Sequence, residues 1–232
     1  MSYIRPIGVA ISAINTFYKY KKYLSNDVAS NYEVCQKLST DIINSAKVDY
    51  KIEGIENVLE DEPVLVTSNH ICFFDIAALA AAIDKPMPFA AAKELINNKI
   101  INDYIASINS VLIDRETEDL KIMKKQLEDM EKAISTTGLI LFPEGECSYG
   151  EGDIKEFKKG GFIAAKKNDI SIVPTYINYE ALERIGRLVV PKGEVKVIFD
   201  KPFKASQLEK KTNARELASI ARKKVLELRN NI

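Results

Sequence analysis

The sequence predicts an α/β fold: a mixed, mostly parallel sheet flanked by helices, with an amphipathic helical pair at its N-terminus. Two observations predict it. From Val48 onward, short β-type apolar runs alternate with helix-length segments, the pattern of a sheet covered by helices. Before Val48, apolar residues recur at helical spacing in two stretches. The chain of 232 residues shows no internal repeat, low-complexity tract or linker. It therefore divides into an N-terminal amphipathic segment, residues 1–47, and a larger domain, residues 48–232.

Taken in order, Met1 to Leu24 carries Arg5, Lys19, Lys21 and Lys22 and no acid, with Ile4, Ile7, Ile11, Ile14 and Tyr18 at helical spacing. Tyr3, Phe17, Tyr20 and Tyr23 lie among those cations. Such a helix can rest in a lipid headgroup region, apolar side down and lysines near anionic phosphates, or it can pack on the domain's own core. A second helix spans roughly Asn31 to Ala46 and can form a hairpin with the first. Strands are expected at Val64–Thr67, Pro88–Ala91, Ser110–Asp114, Leu139–Phe142, Ile170–Ile177 and Val195–Phe199. Helices are expected at Phe73–Ile83, Leu95–Ile108, Glu116–Ser135 and Lys158–Lys167, and a closing amphipathic helix at Asn213–Leu228.

Composition narrows the function. The 33 basic and 33 acidic residues cancel, which argues against a nucleic-acid partner bound through a basic surface. Three cysteines, Cys35, Cys72 and Cys147, lack metal-type spacing and an even count, so no disulfide framework and no metal site are expected, and a reducing cytosol fits best. The longest apolar runs are too short for a transmembrane span.

Chemistry concentrates in two stretches. Ser68-Asn69-His70-Ile71-Cys72-Phe73-Phe74-Asp75 contains the only histidine, the side chain whose ordinary pKa lies near neutrality. A strand ends just before it, so His70 falls in a loop and Asp75 on the first turn of the next helix. The carboxylate can then bond one ring nitrogen and leave the other to accept a proton. A histidine that caps a helix or sits satisfied at a core edge is the alternative. In the second stretch, Pro143-Glu144-Gly145-Glu146-Cys147-Ser148 follows the strand Leu139–Phe142, with Glu144 at the strand's exit and Gly145 permitting close backbone approach.

Together these stretches resemble the glycerolipid acyltransferase family typified by 1-acylglycerol-3-phosphate acyltransferases. The family's N-H-x-x-x-x-D block is matched by Asn69, His70 and Asp75. Its aliphatic run ending in D-R is matched by Val111-Leu112-Ile113-Asp114-Arg115. Its F-P-E-G-T-R-S block is matched at Phe142, Pro143, Glu144, Gly145 and Ser148, followed by F-K-K-G at Phe157–Gly160 and a proline-containing strand, Ile172-Val173-Pro174-Thr175. The four blocks occur in the right order across roughly residues 50–200.

The resemblance implies transfer of a fatty acyl group from a thioester, on coenzyme A or acyl carrier protein, to a lysolipid hydroxyl, most simply that of 1-acyl-sn-glycerol-3-phosphate. His70 is then the base, Asp75 its orienting partner, and backbone N–H groups near Gly145 the candidates for holding the oxyanion. Asn69, Lys93, Arg115, Glu144, Gly145, Lys158 and Lys159 are the expected substrate-binding residues, with the cations serving the acceptor's phosphate. No tightly bound cofactor is implied. Some relatives rest a helical pair on the membrane, so the membrane reading of Met1 to Leu24 is favoured, with peripheral attachment to an anionic cytoplasmic face.

Two departures stand out. Glu146-Cys147 replaces T-R in the third block, removing a positive charge and adding a negative one beside the expected phosphate, and Asn109 stands where a glycine is usual. Cys147 near His70 can become a nucleophile, or it can merely fill the space of the arginine; the second reading is adopted, and Cys72 is read as packing. An acyl-thioester hydrolase and an inactive lipid-binding relative remain as alternatives.

Overall fold

The computed structural model describes residues 4–208 and 212–232. Met1 to Tyr3, the start of the first predicted helix, lie outside them.

The helical pair forms as a hairpin, α1 (Ile4–Lys21) and α2 (Val28–Ala46). Lys19 and Lys21 in the last turn of α1 complement the carbonyl end of its dipole. Asp27 caps α2 by accepting the Ser30 N–H at 3.0 Å, and Lys47 ends it in the left-handed conformation at φ 52°. The stripe Ile4, Ile7, Ile11, Ile14 and Tyr18 faces away from the protein, with Ile7, Ile11 and Ile14 at 48%, 53% and 52% exposure. The opposite face of α1 packs instead, through Val9, Ala13, Phe17 and Tyr20. Arg5 pins the helix by donating to the carbonyls of Ala46 at 2.6 Å and Pro191 at 2.8 Å and pairing with Glu183 at 3.0 Å.

The remainder alternates as expected: β1 (Asp49–Glu53), β2 (Val64–Ser68), α3 (Phe74–Ala82), β3 (Ala90–Ala92), α4 (Lys99–Ser107), β4 (Val111–Ile113), α5 (Leu120–Thr136), β5 (Leu139–Leu141), α6 (Gly160–Lys167), β6 (Ser171–Ile185), β7 (Leu188–Phe199) and α7 (Ala214–Asn230). The main sheet has the order β1-β7-β6-β2-β5. Its neighbours run parallel except the β6–β7 hairpin. β3 and β4 form a parallel pair of their own, joined to the main sheet by the Phe89–Ile140 bridge.

Three differences from the expected elements have local causes. β1 was not expected because three of its five residues are charged; it survives at the sheet edge, where Lys51 pairs with Glu194 of β7 and Glu53 with Lys196 of β7. β6 and β7 run well past Ile177 and begin well before Val195, because the two close on each other through the turn at Gly186. The helix expected from Leu95 starts at Lys99, where Asn98 accepts the N–H groups of Ile100 and Ile101, and a 3-10 turn occupies Lys93–Asn97.

All five residues of β2 are buried, and its alternation divides the core. Val64 and Val66 join the cluster under α1, α2 and α3, whereas Leu65 joins the cluster of α5, α6 and α7 on the other face. Each such side chain contributes about 1.5–3 kcal/mol by leaving water. Because β2 and β5 are parallel neighbours, the loops that leave their C-terminal ends emerge side by side.

Candidate active site

Those two loops carry the two chemical stretches, and backbone bonds hold them in register. The Ser148 N–H donates to the His70 carbonyl at 2.8 Å and the Tyr149 N–H to the Ile71 carbonyl at 2.7 Å. Glu144, buried at the end of β5, accepts the His70 N–H at 2.7 Å with one carboxylate oxygen and the Lys155 N–H at 2.8 Å with the other. Burial raises its pKa against the opposing pull of these donors. Asn69, also buried, bonds both ways to Ile177 on β6, accepting its N–H at 2.8 Å and donating to its carbonyl at 3.0 Å. Both side chains therefore fix the backbone that leads into His70.

His70 and Asp75 meet as their spacing predicts. His70 Nδ1 lies 2.8 Å from Asp75 Oδ2, and Asp75 is fully buried. The same oxygen accepts the N–H groups of Ile71 at 2.6 Å and Cys72 at 2.9 Å, and Oδ1 accepts the Tyr179 hydroxyl at 2.5 Å. Every group around the carboxylate is a donor, the complement that an acceptor-only side chain needs. Burial and the neighbouring Asp75 push the Tyr179 phenol well above its usual pKa, so it remains a donor. With a carboxylate on Nδ1, the neutral ring carries its proton there and turns the Nε2 lone pair outward. Phe142 stacks under the ring at 4.1 Å and 13°. Burial lowers the imidazole's pKa, but the bonds to Asp75 and Cys147, with their charges, raise it further, to about 9.

Nε2 does not face open solvent. Cys147 Sγ lies 3.1 Å from it, within hydrogen-bonding reach of the ring. Cys72 is 2% exposed and its Sγ lies 4.0 Å from Asp75 Oδ1, so its side chain packs against the carboxylate.

His70 and Cys147 open onto a cavity of about 990 Å³ with a mixed lining. One part of it comes from the cluster under the helical pair, with Phe17, Leu38, Ile42, Ala77, Ala80 and Ile108. Another part is polar and includes Arg115, Gly145, Glu146, Lys158 and Lys159. Gly145 has φ +80°, and a Cβ there would fall 2.7 Å from Lys158 Nζ, so the ammonium lies directly over the turn. Arg115 donates to the Gly145 carbonyl and lies 3.4 Å from Glu94. Glu146, the unexpected acid, pairs with Lys155 at 2.9 Å, and Lys155, with Lys158 and Arg115 beyond it, lowers its pKa.

Three residues expected at the substrate do not line this cavity. Asn69 and Glu144 are turned to backbone groups as described, and Lys93, just after β3, reaches Asp114, just after β4, at 3.2 Å. Gly145's own N–H is also engaged, donating to the Phe142 carbonyl at 3.1 Å. The backbone N–H groups of the next two residues, Glu146 and Cys147, have no acceptor among the described residues. Among those residues there is also no group of three or more His, Cys, Asp and Glu side chains able to hold a metal ion, and no helix is long and apolar enough to cross a membrane.

The sequence pattern of the acyltransferase family matches residues 49–178, more than half of the chain and both loops of the site. The chain belongs to the acyltransferase family. Within this family it is 30% identical over 163 residues to the chloroplastic 1-acyl-sn-glycerol-3-phosphate acyltransferase LPAT1 of Arabidopsis thaliana, an alignment covering 68% of this chain and 44% of that protein. It is 22% identical over 205 residues to the 1-acyl-sn-glycerol-3-phosphate acyltransferase of Bacillus subtilis, covering 87% and 98% of the two. The chain spans less than half the length of the chloroplastic relatives it matches. The same fold occurs in the crystal structure of the 1-acyl-sn-glycerophosphate (LPA) acyltransferase PlsC of Thermotoga maritima, with a TM-score of 0.71, 20% identity and 97% of this chain covered.

Proposed function

We propose that this acyltransferase moves a fatty acyl group from a thioester of coenzyme A or acyl carrier protein to the hydroxyl of 1-acyl-sn-glycerol-3-phosphate, in phospholipid biosynthesis. The observation that carries the reading is the position of His70 on a cavity lined by both apolar side chains and cations. Acyl chains suit the part lined by Leu38, Ala80 and Ile108, and a phosphate suits Arg115, Lys158 and Lys159. Glu146 opposes the phosphate less than its charge implies, because Lys155 already pairs with it. In the transfer, His70 takes the proton from the hydroxyl as that oxygen attacks the thioester carbonyl, and Asp75 stabilises the imidazolium. The test is transfer of a radiolabelled acyl group in mixed micelles, with lysophosphatidic acid, lysophosphatidylcholine, lysophosphatidylglycerol or no acceptor. Transfer chiefly to lysophosphatidic acid is expected. Preference for a masked phosphate overturns the acceptor, and release of free acid without acceptor makes the protein a hydrolase.

The acceptor is a membrane lipid, and the exposed stripe of α1 supports peripheral attachment to the cytoplasmic face of a bilayer. Its apolar side chains carry that contact more than its charges do. Lys19 is bound to Asp41 at 2.8 Å, Lys21 to Asp103 at 2.5 Å, and Arg5 is held inside the protein, which leaves Lys22 to meet anionic headgroups. The double substitution Ile7→Glu, Ile11→Glu is therefore expected to lower vesicle binding at least tenfold, each side chain losing up to about 1.5–3 kcal/mol of apolar burial. Thermal stability is expected to stay within about 0.5 kcal/mol of the parent, since both positions are exposed. Sedimentation with phosphatidylglycerol-containing vesicles reads the effect, and undiminished binding removes the stripe from the contact.

A further inference from the structure

We propose that Cys147 is a nucleophile in this reaction, taking the acyl group from the donor as a covalent thioester before the acceptor receives it. This rests on the acyl-transfer reading above and adds a step to it.

The geometry is that of a nucleophile, a base and an orienting acid in line. Cys147 Sγ is 3.1 Å from His70 Nε2, and His70 Nδ1 is 2.8 Å from the buried Asp75 carboxylate. The thiol is held there by built features: the two interloop backbone bonds from Ser148 and Tyr149 set its height opposite the ring, and Phe142 fixes the ring plane. A hydroxyl that used His70 directly would first have to displace sulfur from Nε2. The base's accepting nitrogen is already turned to a nucleophile. The other thiols lack this setting, since Cys72 and Cys35 are both buried and burial pushes their pKa values up. Cys147 instead lines the same cavity as the apolar side chains and the cations, open to a bound acyl chain.

The two half-reactions balance. In the first, His70 takes the S–H proton of Cys147, the thiolate adds to the donor carbonyl, the carbonyl–sulfur bond to the donor breaks, and His70 returns the proton to the departing thiol. The raised pKa of His70 suits it to hold a proton beside a thiolate. In the second, His70 takes the proton of the acceptor hydroxyl, the oxygen adds to the carbonyl held on Cys147, and the thiolate leaves and recovers the proton. Both tetrahedral intermediates place an oxyanion near the uncommitted N–H groups of Glu146 and Cys147.

The test is intact-protein mass spectrometry of the full chain, acid-quenched at millisecond to second times after mixing with palmitoyl-CoA alone, with the adduct mapped by peptide mass. Wild type is expected to gain one acyl group on Cys147 and to lose it to lysophosphatidic acid at a rate no slower than turnover. Cys147→Ala is expected to form no adduct and to transfer at least about 100-fold more slowly, with melting temperature and vesicle binding retained. Transfer to lysophosphatidic acid with no adduct, transfer that proceeds while the adduct stays undischarged, or a Cys147→Ala variant at the wild-type rate overturns the proposal. A wild type that carries the adduct but acylates no lysolipid supports Cys147 as nucleophile while overturning the acceptor reading. Absence of both adduct and transfer overturns both.

Discussion

His70→Ala is expected to lower kcat/KM for acyl transfer by roughly 10³–10⁴-fold while the protein remains folded. The expected loss is large because, in the proposed reaction, one side chain serves every proton transfer: it would take the proton of the acceptor hydroxyl, and through its 3.1 Å contact it would also govern the thiol of Cys147. The fold is expected to tolerate the change, because what ties this loop down is backbone. The N–H at position 70 still reaches Glu144, and the carbonyl still accepts from Ser148. Asp75 keeps the N–H groups of Ile71 and Cys72 and the hydroxyl of Tyr179. The ring that is removed borders a cavity already present. A fall in melting temperature of no more than a few degrees, about 1 kcal/mol for a chain of this size, is therefore expected by calorimetry. Turnover within tenfold of wild type would take His70 out of the mechanism.

How far the site could be read from sequence depended on the separation of its parts. His70 and Asp75 lie five positions apart across a strand exit and a helix start, so local geometry alone brings them together. Cys147 is 77 positions from His70 and Tyr179 is 104 from Asp75. Their contacts exist only because β2 lies between β5 and β6, an order that no local pattern encodes. Asn69 and Glu144 were recognisable as belonging to the site, but their charge and polarity suggested a ligand, whereas buried backbone groups are their partners. The tyrosine carried no signal of its own, since Tyr179 falls in a strand whose one other aromatic residue, Tyr176, simply packs.

The fold shows a similar division. β2 and β5 are short apolar runs bounded by turn residues, and their positions followed from pattern. β1, with Asp49, Lys51 and Glu53 around Tyr50 and Ile52, alternates correctly but carries too much charge to stand out, and its strand character comes from pairing with β7. The spacing of α1 did place Ile4, Ile7, Ile11, Ile14 and Tyr18 on one face. It did not show that this face turns outward, because α1 carries a second, less obvious apolar side in Val9, Ala13 and Phe17 that meets the domain.

Asp75→Asn is expected to cost activity and stability together, for separable reasons. The amide presents N–H donors to a site furnished with donors, so at least one of the Ile71 N–H, Cys72 N–H and Tyr179 hydroxyl loses its acceptor in a buried place. Each unsatisfied group there costs about 1–3 kcal/mol, and loss of about 2–5 kcal/mol lowers the melting temperature by roughly 5–15 °C for a chain of this length. The catalytic effect comes through His70. An amide can leave the ring in the wrong tautomer and no longer stabilises the imidazolium, for which a loss of roughly 10²–10⁴-fold is expected. A third readout separates orientation from general damage. Asp75 raises the pKa of His70 against the lowering effect of burial, and the ring is a base only when neutral. Wild-type kcat/KM for the acceptor is therefore expected to fall as pH drops through that raised pKa. Removing the carboxylate takes away the largest raising influence, so the acidic limb of Asp75→Asn moves to lower pH even as the plateau drops. A variant that lost rate merely through loosened packing would keep its limb in place, and that result would return Asp75 to a purely structural role.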